Sequence, residues 1–176
     1  MRKEFIYHFG FLIGFLILTS LVKGYVNLSY WPYWVGGLIG TILPDLDHLI
    51  YILFLRPHEL TSQRASHLIN QKDYLNTLRL LAVTRYERTK VIFHSAMFQI
   101  IFTLLAVLVI TSSGSVLGRG IVLGLLLHLL IDQIVDFIET KSISNWFKDF
   151  PIKLNISEKA YLIINIGIFL LFSFVF

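Results

Sequence analysis

Residues 116–138 read VLGRGIVLGLLLHLLIDQIVDFI. The run is longer than the ~20 residues a helix needs to cross the hydrocarbon core of a bilayer. Within it His128 and Asp132 form an H-x-x-x-D pair, one turn apart on one helix face, as two ligands to one ion require. Asp136 extends the same stripe by a further turn. An ionisable group at the centre of a membrane helix costs at least ~2.5–3.5 kcal/mol on insertion scales, so such groups are as a rule paired or functional. The stretch therefore predicts a membrane helix with a polar site inside it.

The composition agrees. Of 176 residues, 56% are hydrophobic and the mean hydropathy is +0.72, against the ~45–50% apolar content of soluble domains. A soluble chain of this length has nowhere to hide so much apolar surface. Four further segments qualify as spans or nearly so: 5–22, 33–55, 91–111 and 160–176. Of the five, the second (33–55) and fourth (116–138) carry charges and are expected to score lower on hydropathy. The expected fold is all-α, one polytopic membrane helix bundle over 1–176, with about five transmembrane helices plus interfacial helices. Arg2 and Lys3 precede the first apolar run as in a secretory signal, but no small-x-small cleavage site follows, so the run reads as an uncleaved span. With no cysteine, disulfides, thiolate metal sites and cysteine nucleophiles are excluded.

Two polar connections stand out. In loop 56–90, Tyr74, Leu75, Leu78, Leu81 and Ala82 recur at helical spacing, which predicts an amphipathic helix on the membrane surface. Segment 145–154 sets Trp146, Phe147, Phe150 and Pro151 among lysines and reads as interfacial. Loop 56–90 carries Arg56, Arg64, Lys72, Arg79, Arg85, Arg88 and Lys90, and Lys141, Lys148, Lys153 and Lys159 follow the fourth span. The opposite side offers only Lys23 and Arg119. The positive-inside rule then predicts a cytoplasmic N-terminus and an outside C-terminus, in a prokaryotic-type inner membrane. These loops facing anionic headgroups account for the net charge of +4 without nucleic acid. Arg85 and Arg88 read as topology determinants, with a phosphate-holding role as the alternative. His58 and His67 read as solvated.

On that topology the remaining polar residues converge. His8 lies near the start of span one, Asp45, Asp47 and His48 near the end of span two, His94 at the start of span three, and His128, Asp132 and Asp136 in the last half of span four. Four helices bring imidazoles and carboxylates to one side of the bilayer. Asp45 and His48 share a face if their stretch is helical, with Asp47 pointing elsewhere, although Pro44 is placed to distort that backbone. The candidate metal ligands are His8, Asp45, His48, His94, His128 and Asp132, with Asp47 or Asp136 as proton acceptor and His48 as either ligand or orienter. Imidazole with carboxylate suits Zn²⁺ first, or Mn²⁺ or Fe²⁺. Gly10 and Gly14, Gly36 and Gly40, and Gly120 and Gly124 form G-x-x-x-G pairs, which predict a tight cluster of spans one, two and four.

The chain resembles the LexA-regulated inner-membrane metal-dependent hydrolases. The resemblance rests on His8, on Leu43-Pro44-Asp45-Leu46-Asp47-His48, on His94-Ser95 and on His128-Leu129-Leu130-Ile131-Asp132, in that order over about residues 5–138. Where that family commonly has His-Arg before the His-Ser pair, this sequence has Thr89-Lys90. The resemblance implies a metal-dependent hydrolase with a distant likeness to zinc-dependent phospholipase C. A site at headgroup depth favours a lipid or phosphoester substrate. Two other classes fit intramembrane carboxylates and histidines: an ion or proton transporter, and a non-catalytic membrane scaffold with a structural metal or a polar network. A transporter needs polar residues through the whole depth, and the outer halves of the spans have no acidic residue or histidine. No phosphate-binding glycine loop or G-x-S-x-G turn is present.

Overall fold

The computed structural model describes residues 2–88, 91–112, 114–148, 150 and 157–175. Among them the regular structure is entirely helical: α1 (Arg2–Lys23), α2 (Trp31–Ile42), α3 (Leu46–Ile50), α4 (Leu60–Asn70), α5 (Tyr74–Val83), α6 (Ala96–Ser112), α7 (Val116–Thr140) and α8 (Glu158–Phe174). Between α2 and α3, Leu43–Asp45 tightens into a 3₁₀ turn, and α3 runs on into a π turn at Tyr51–Leu55. Pro44 is the cause at the first junction. It lacks the N–H that would continue the ladder, and its ring crowds the preceding turn.

Three of these segments are long and apolar enough to cross a membrane: Ile6–Lys23, Leu28–Leu55 and Val116–Thr140. The two charge-bearing segments are thus among the three that qualify, while the third and fifth expected spans fall short. Helix α6 has 17 residues and begins at Ala96 rather than 91; the residues before it are tied to a buried carboxylate described below. Helix α8 also has 17 residues.

Helix α7 is the central element. Of its apolar window 67% is buried, against 28% for α1 and 33% for Leu28–Leu55. Leu12 and Leu16 of α1, Tyr33 of α2, Ala106 and Ile110 of α6, and Phe169 and Phe172 of α8 pack around Val122, Leu123, Leu126 and Leu130 of α7. The α2–α7 contact is the closest, and two of the three glycine pairs make it. A Cβ on Gly36 or Gly40 would collide with the backbone at Leu117, Ile121 or Leu125, and one on Gly120 or Gly124 with the backbone of Tyr33 or Gly37. Gly10 and Gly14 have nothing within 4 Å of where a Cβ would stand. Helix α1 therefore joins the cluster through Leu12 and Leu16, the latter against Gly37, and not through its own glycine pair.

The basic residues expected on the far side turn inward. Lys23 Nζ donates to Phe174 O at 3.2 Å, and Arg119 Nη2 donates to Ile110 O at 3.1 Å. Each satisfies a carbonyl near the C-terminus of a neighbouring helix, where a cation is favoured.

A second polar feature, invisible to a search for ionisable groups, joins α6, α7 and α8. The Gln99 side-chain oxygen accepts from Gln133 Nε2, from Tyr161 OH at 2.8 Å and from Asn165 Nδ2 at 3.2 Å, and Asn165 Nδ2 also donates to Gln133 Oε1 at 3.1 Å. Gln99 and Gln133 are buried. Replacing Gln99 with leucine strands these donors in an apolar interior, where an unsatisfied group costs about 1–3 kcal/mol. The expected result is a lowered thermal midpoint in detergent. An unchanged midpoint would show that the cluster adds nothing to stability.

Loop 56–90 is largely helical. Helix α5 covers the expected amphipathic stretch, with Tyr74, Leu75 and Leu78 exposed and Leu81 packed against Tyr51, Ile52 and Ala65. The expectation for 145–154 needs correcting at Trp146. That residue is 2% exposed, packed among Leu125, Leu129, Ile143 and Tyr161 instead of facing the membrane boundary. Its burial is possible because the indole N–H finds an acceptor inside. Residues 149 and 151–156 lie outside the described residues, as do Thr89 and Lys90.

Candidate metal centre

Asp132, on the fifth turn of α7, is the hub. The H-x-x-x-D spacing brings His128 Nε2 to 3.2 Å from Asp132 Oδ2 on the same helix. Helix α1 adds His8, whose Nε2 lies 3.3 Å from Asp132 Oδ1. The segment before α6 adds His94, whose Nε2 lies 2.9 Å from Asp132 Oδ2. Three imidazoles from three elements thus present the same ring nitrogen to one carboxylate. The His8 and His128 rings pack with centroids 4.2 Å apart, and His94 meets His128 at 5.7 Å.

His94 is held in place by Asp47. One Asp47 oxygen accepts from Ile92 N at 2.9 Å, and the other from Phe93 N at 2.6 Å and His94 N at 3.3 Å, with His94 Nδ1 at 3.3 Å. These bonds tie residues 92–94, which precede the helix, to Asp47. Ser95 then starts α6, accepting from Phe98 N at 3.2 Å and donating to Ile92 O at 2.8 Å. A carboxylate on Nδ1 with Nε2 turned into the site is the usual arrangement around a metal-ligating histidine. Of the Asp45–His48 string, Asp47 is the residue aimed inward, with 0% exposure. The Asp45 side chain is 62% exposed, yet its Oδ1 still lies 3.8 Å from His128 Nε2.

His48 stacks on His94 with ring centroids 5.4 Å apart. Its Nδ1 accepts from Arg88 Nε at 3.1 Å, so a neutral His48 ring carries its proton on Nε2. Arg88 also donates to Thr84 Oγ1 at 3.0 Å and to Leu81 O. Burial pushes the Arg88 guanidinium down from its ordinary pKa. Arg85 enters the site itself, with Nη2 at 3.0 Å from Asp132 Oδ1 and 3.6 Å from Asp136 Oδ1. Asp136 Oδ2 accepts from Trp146 Nε1 at 2.9 Å. A cavity of about 60 Å³ opens here, lined by His48, Arg85, Arg88, Val91, His94, Asp136, Asn145 and Trp146.

All eight sequence-predicted residues therefore meet at one end of the bundle. Six of them form two sets, in each of which the ligand atoms lie within 4.8 Å of one another, His8 with His128 and Asp132, and Asp45 with His48 and His94. His58 and His67 are exposed and away from the site, as expected. The donor set fits a divalent ion of zinc type, being imidazole nitrogens with carboxylate oxygens. His128 supplies the independent observation. It is 1% exposed, and neither ring nitrogen makes a hydrogen bond among the described residues, because the close approach of Nε2 to Asp132 lacks hydrogen-bonding geometry. Buried imidazoles are ordinarily satisfied. Trp146 was missed from sequence, because an aromatic-belt composition does not show that a side chain turns inward to Asp136. Arg85, read first as a topology determinant with a phosphate-holding role as the alternative, turns its guanidinium to Asp132.

No curated protein and no solved structure matches the chain. A family model described as YdjM inner membrane protein matches residues 7–142, a range that includes all eight candidate residues. By that match, which covers most of its length, the chain belongs to the YdjM inner membrane protein family.

Proposed function

We propose that this membrane protein holds a divalent ion, zinc in the first place with manganese or iron as alternatives, and hydrolyses a lipid or phosphoester at the cytoplasmic face of the inner membrane. The observation that carries the reading is His128, a buried imidazole without a hydrogen bond, facing Asp132 together with His8 and His94. A bound ion of this kind supplies a water whose pKa is lowered toward ~7 and a Lewis acid for the scissile group. Asp136, which lines the cavity, is the proton acceptor in this reading, and Asp47, whose oxygens are occupied, orients His94. Helices α6 and α8 serve as the third and fifth spans, each about 26 Å long at ~1.5 Å per residue, near the lower limit for crossing the hydrocarbon core. The N-terminus then lies in the cytoplasm and the C-terminus outside. Among the described residues the opposite end of the bundle has no carboxylate or imidazole, which disfavours a transport path.

Elemental analysis of detergent-purified protein tests the reading. Wild type is expected to carry zinc, manganese or iron at one equivalent or more per chain, and the His128→Ala/Asp132→Ala double variant to carry none while still eluting as a monodisperse species. Equal metal in both, or none in wild type after reconstitution with each ion, would sink it.

A further inference from the structure

We propose that Arg85 is the anion-recognition residue of this centre: it pairs with Asp132 and Asp136 while Asp132 carries no cation, and turns to a phosphate group in the adjoining cavity once a cation has taken Asp132. The inference rests on the metal reading above and adds the substrate's recognised group.

The geometry forces a competition. Arg85 Nη2 lies 3.0 Å from Asp132 Oδ1, and that same oxygen lies 3.3 Å from His8 Nε2. An ion held by His8, His128 and Asp132 draws on the carboxylate that Arg85 now neutralises. Two positive groups cannot both stay against one buried oxygen without mutual repulsion in a low-dielectric interior. Arg85 is anchored on the short 3₁₀ turn Arg85–Glu87, at the edge of the cavity it already lines. Displaced from Asp132, its guanidinium has that cavity as its nearest polar space.

The cavity suits a phosphate. By a measure in which one water needs roughly 10–15 Å³, a volume of about 60 Å³ admits four or five water-sized groups. That is the bulk of a phosphate and far less than an acyl chain. Its lining sets four donors, the Arg85 and Arg88 guanidiniums, the His48 imidazole and the Asn145 amide, beside one carboxylate, Asp136, whose Oδ2 is taken by Trp146. Arg88 is committed to His48 Nδ1, Thr84 and Leu81. Its part is to set the His48 tautomer that keeps a proton on Nε2. Arg85 is left as the fork that meets a tetrahedral anion, a geometry guanidinium matches better than ammonium does. Exposed apolar side chains at Phe54, Ile92 and Ile138 sit on the same end of the bundle, so a phosphate on a lipid headgroup and one on a soluble ester both remain within the shared chemistry.

The experiment is calorimetric titration of full-length protein in nanodiscs, in separate arms. Zinc is titrated into wild type, Arg85→Gln and Arg85→Lys. Inorganic phosphate is then titrated into each with and without zinc, and the set is repeated with phosphatidic acid in place of some of the phosphatidylcholine. Wild type is expected to bind phosphate more tightly when zinc-loaded. Arg85→Gln is expected to bind zinc as tightly as wild type or more so, since a competitor for Asp132 is gone, and to lose about tenfold or more in phosphate affinity, the worth of a charge-assisted hydrogen bond. Arg85→Lys should fall between. Phosphate binding that Arg85→Gln leaves unchanged, or a variant that loses zinc together with phosphate, would overturn the proposal while leaving the metal reading standing. Wild type that binds no zinc would overturn both. Competition between phosphatidic acid and inorganic phosphate would mark a lipid source; binding of inorganic phosphate alone would mark a soluble one.

Discussion

Replacing Gly124 with leucine is expected to cost about 3 kcal/mol or more and to leave little folded protein, at or beyond the upper end of overpacking penalties. The reason is that the obstacle is backbone. A Cβ at Gly124 meets the carbonyl of Gly37, one at Gly120 meets that of Tyr33, and one at Gly40 meets that of Ile121. A flexible side chain could move aside, whereas two packed helices can only separate. Separation would also break the bond from Thr41 Oγ1 to Gly124 O, 3.3 Å long. It would carry Asp45 and Asp47 away from His128 and His94, so the candidate site would be lost with the fold. Gly10→Leu is the matched control, since nothing stands within 4 Å of its Cβ position. It should leave the melting temperature unchanged or raise it slightly, because leucine favours a helix over glycine by up to about 1 kcal/mol. Thermal unfolding of both variants in one detergent decides the matter. A Gly124→Leu protein melting like wild type would mean that the α2–α7 contact is looser than described.

Asp47→Ala is expected to have the next largest effect, again about 3 kcal/mol or more. Three part-buried backbone N–H groups, those of Ile92, Phe93 and His94, donate to this one carboxylate. Each left unsatisfied costs about 1–3 kcal/mol, reduced where water enters. The variant should also lose metal. Without its acceptor on Nδ1, His94 is no longer held with Nε2 toward Asp132, and losing such an outer partner typically weakens metal affinity by about 10–100-fold. Asp45→Ala separates this role from general charge removal. Its side chain is 62% exposed, so the midpoint should shift little. If the two alanine variants share one melting temperature, the assignment of Asp47 as the brace of residues 91–95 fails.

Both effects depend on pairings between elements, and that separates what was legible in the chain from what was not. The helical character, the membrane-scale apolar segments and the amphipathic α5 were legible because they follow from local composition and a period of 3.6 residues. The shared face of His128 and Asp132 was legible for the same reason. The gathering of all eight candidate residues at one bundle end followed from alternating the direction of successive segments. That step needs only their order and the shortness of most connections.

Other features follow only from which surface each element turns to its neighbour. Two glycine pairs with the same spacing had opposite fates, because Gly120 and Gly124 face α2 while Gly10 and Gly14 face no neighbour. Asp45 and Asp47 are two residues apart in a stretch distorted by Pro44, and the tertiary contact with residues 92–94 selected Asp47 for the interior. That contact also lies just ahead of α6, which starts at Ala96. Arg85 is one basic residue among several in loop 56–90 until the turn at Arg85–Glu87 lays it against Asp132. The sequence by itself determined that this is a helical membrane protein with a cluster of imidazoles and carboxylates at one end, because burial of apolar surface and helix periodicity are local properties. Only the tertiary structure decided which carboxylate braces, which one forms the hub and which arginine pairs with it. Those roles depend on distances of about 3 Å between groups up to 124 positions apart in the chain, and no local pattern encodes them.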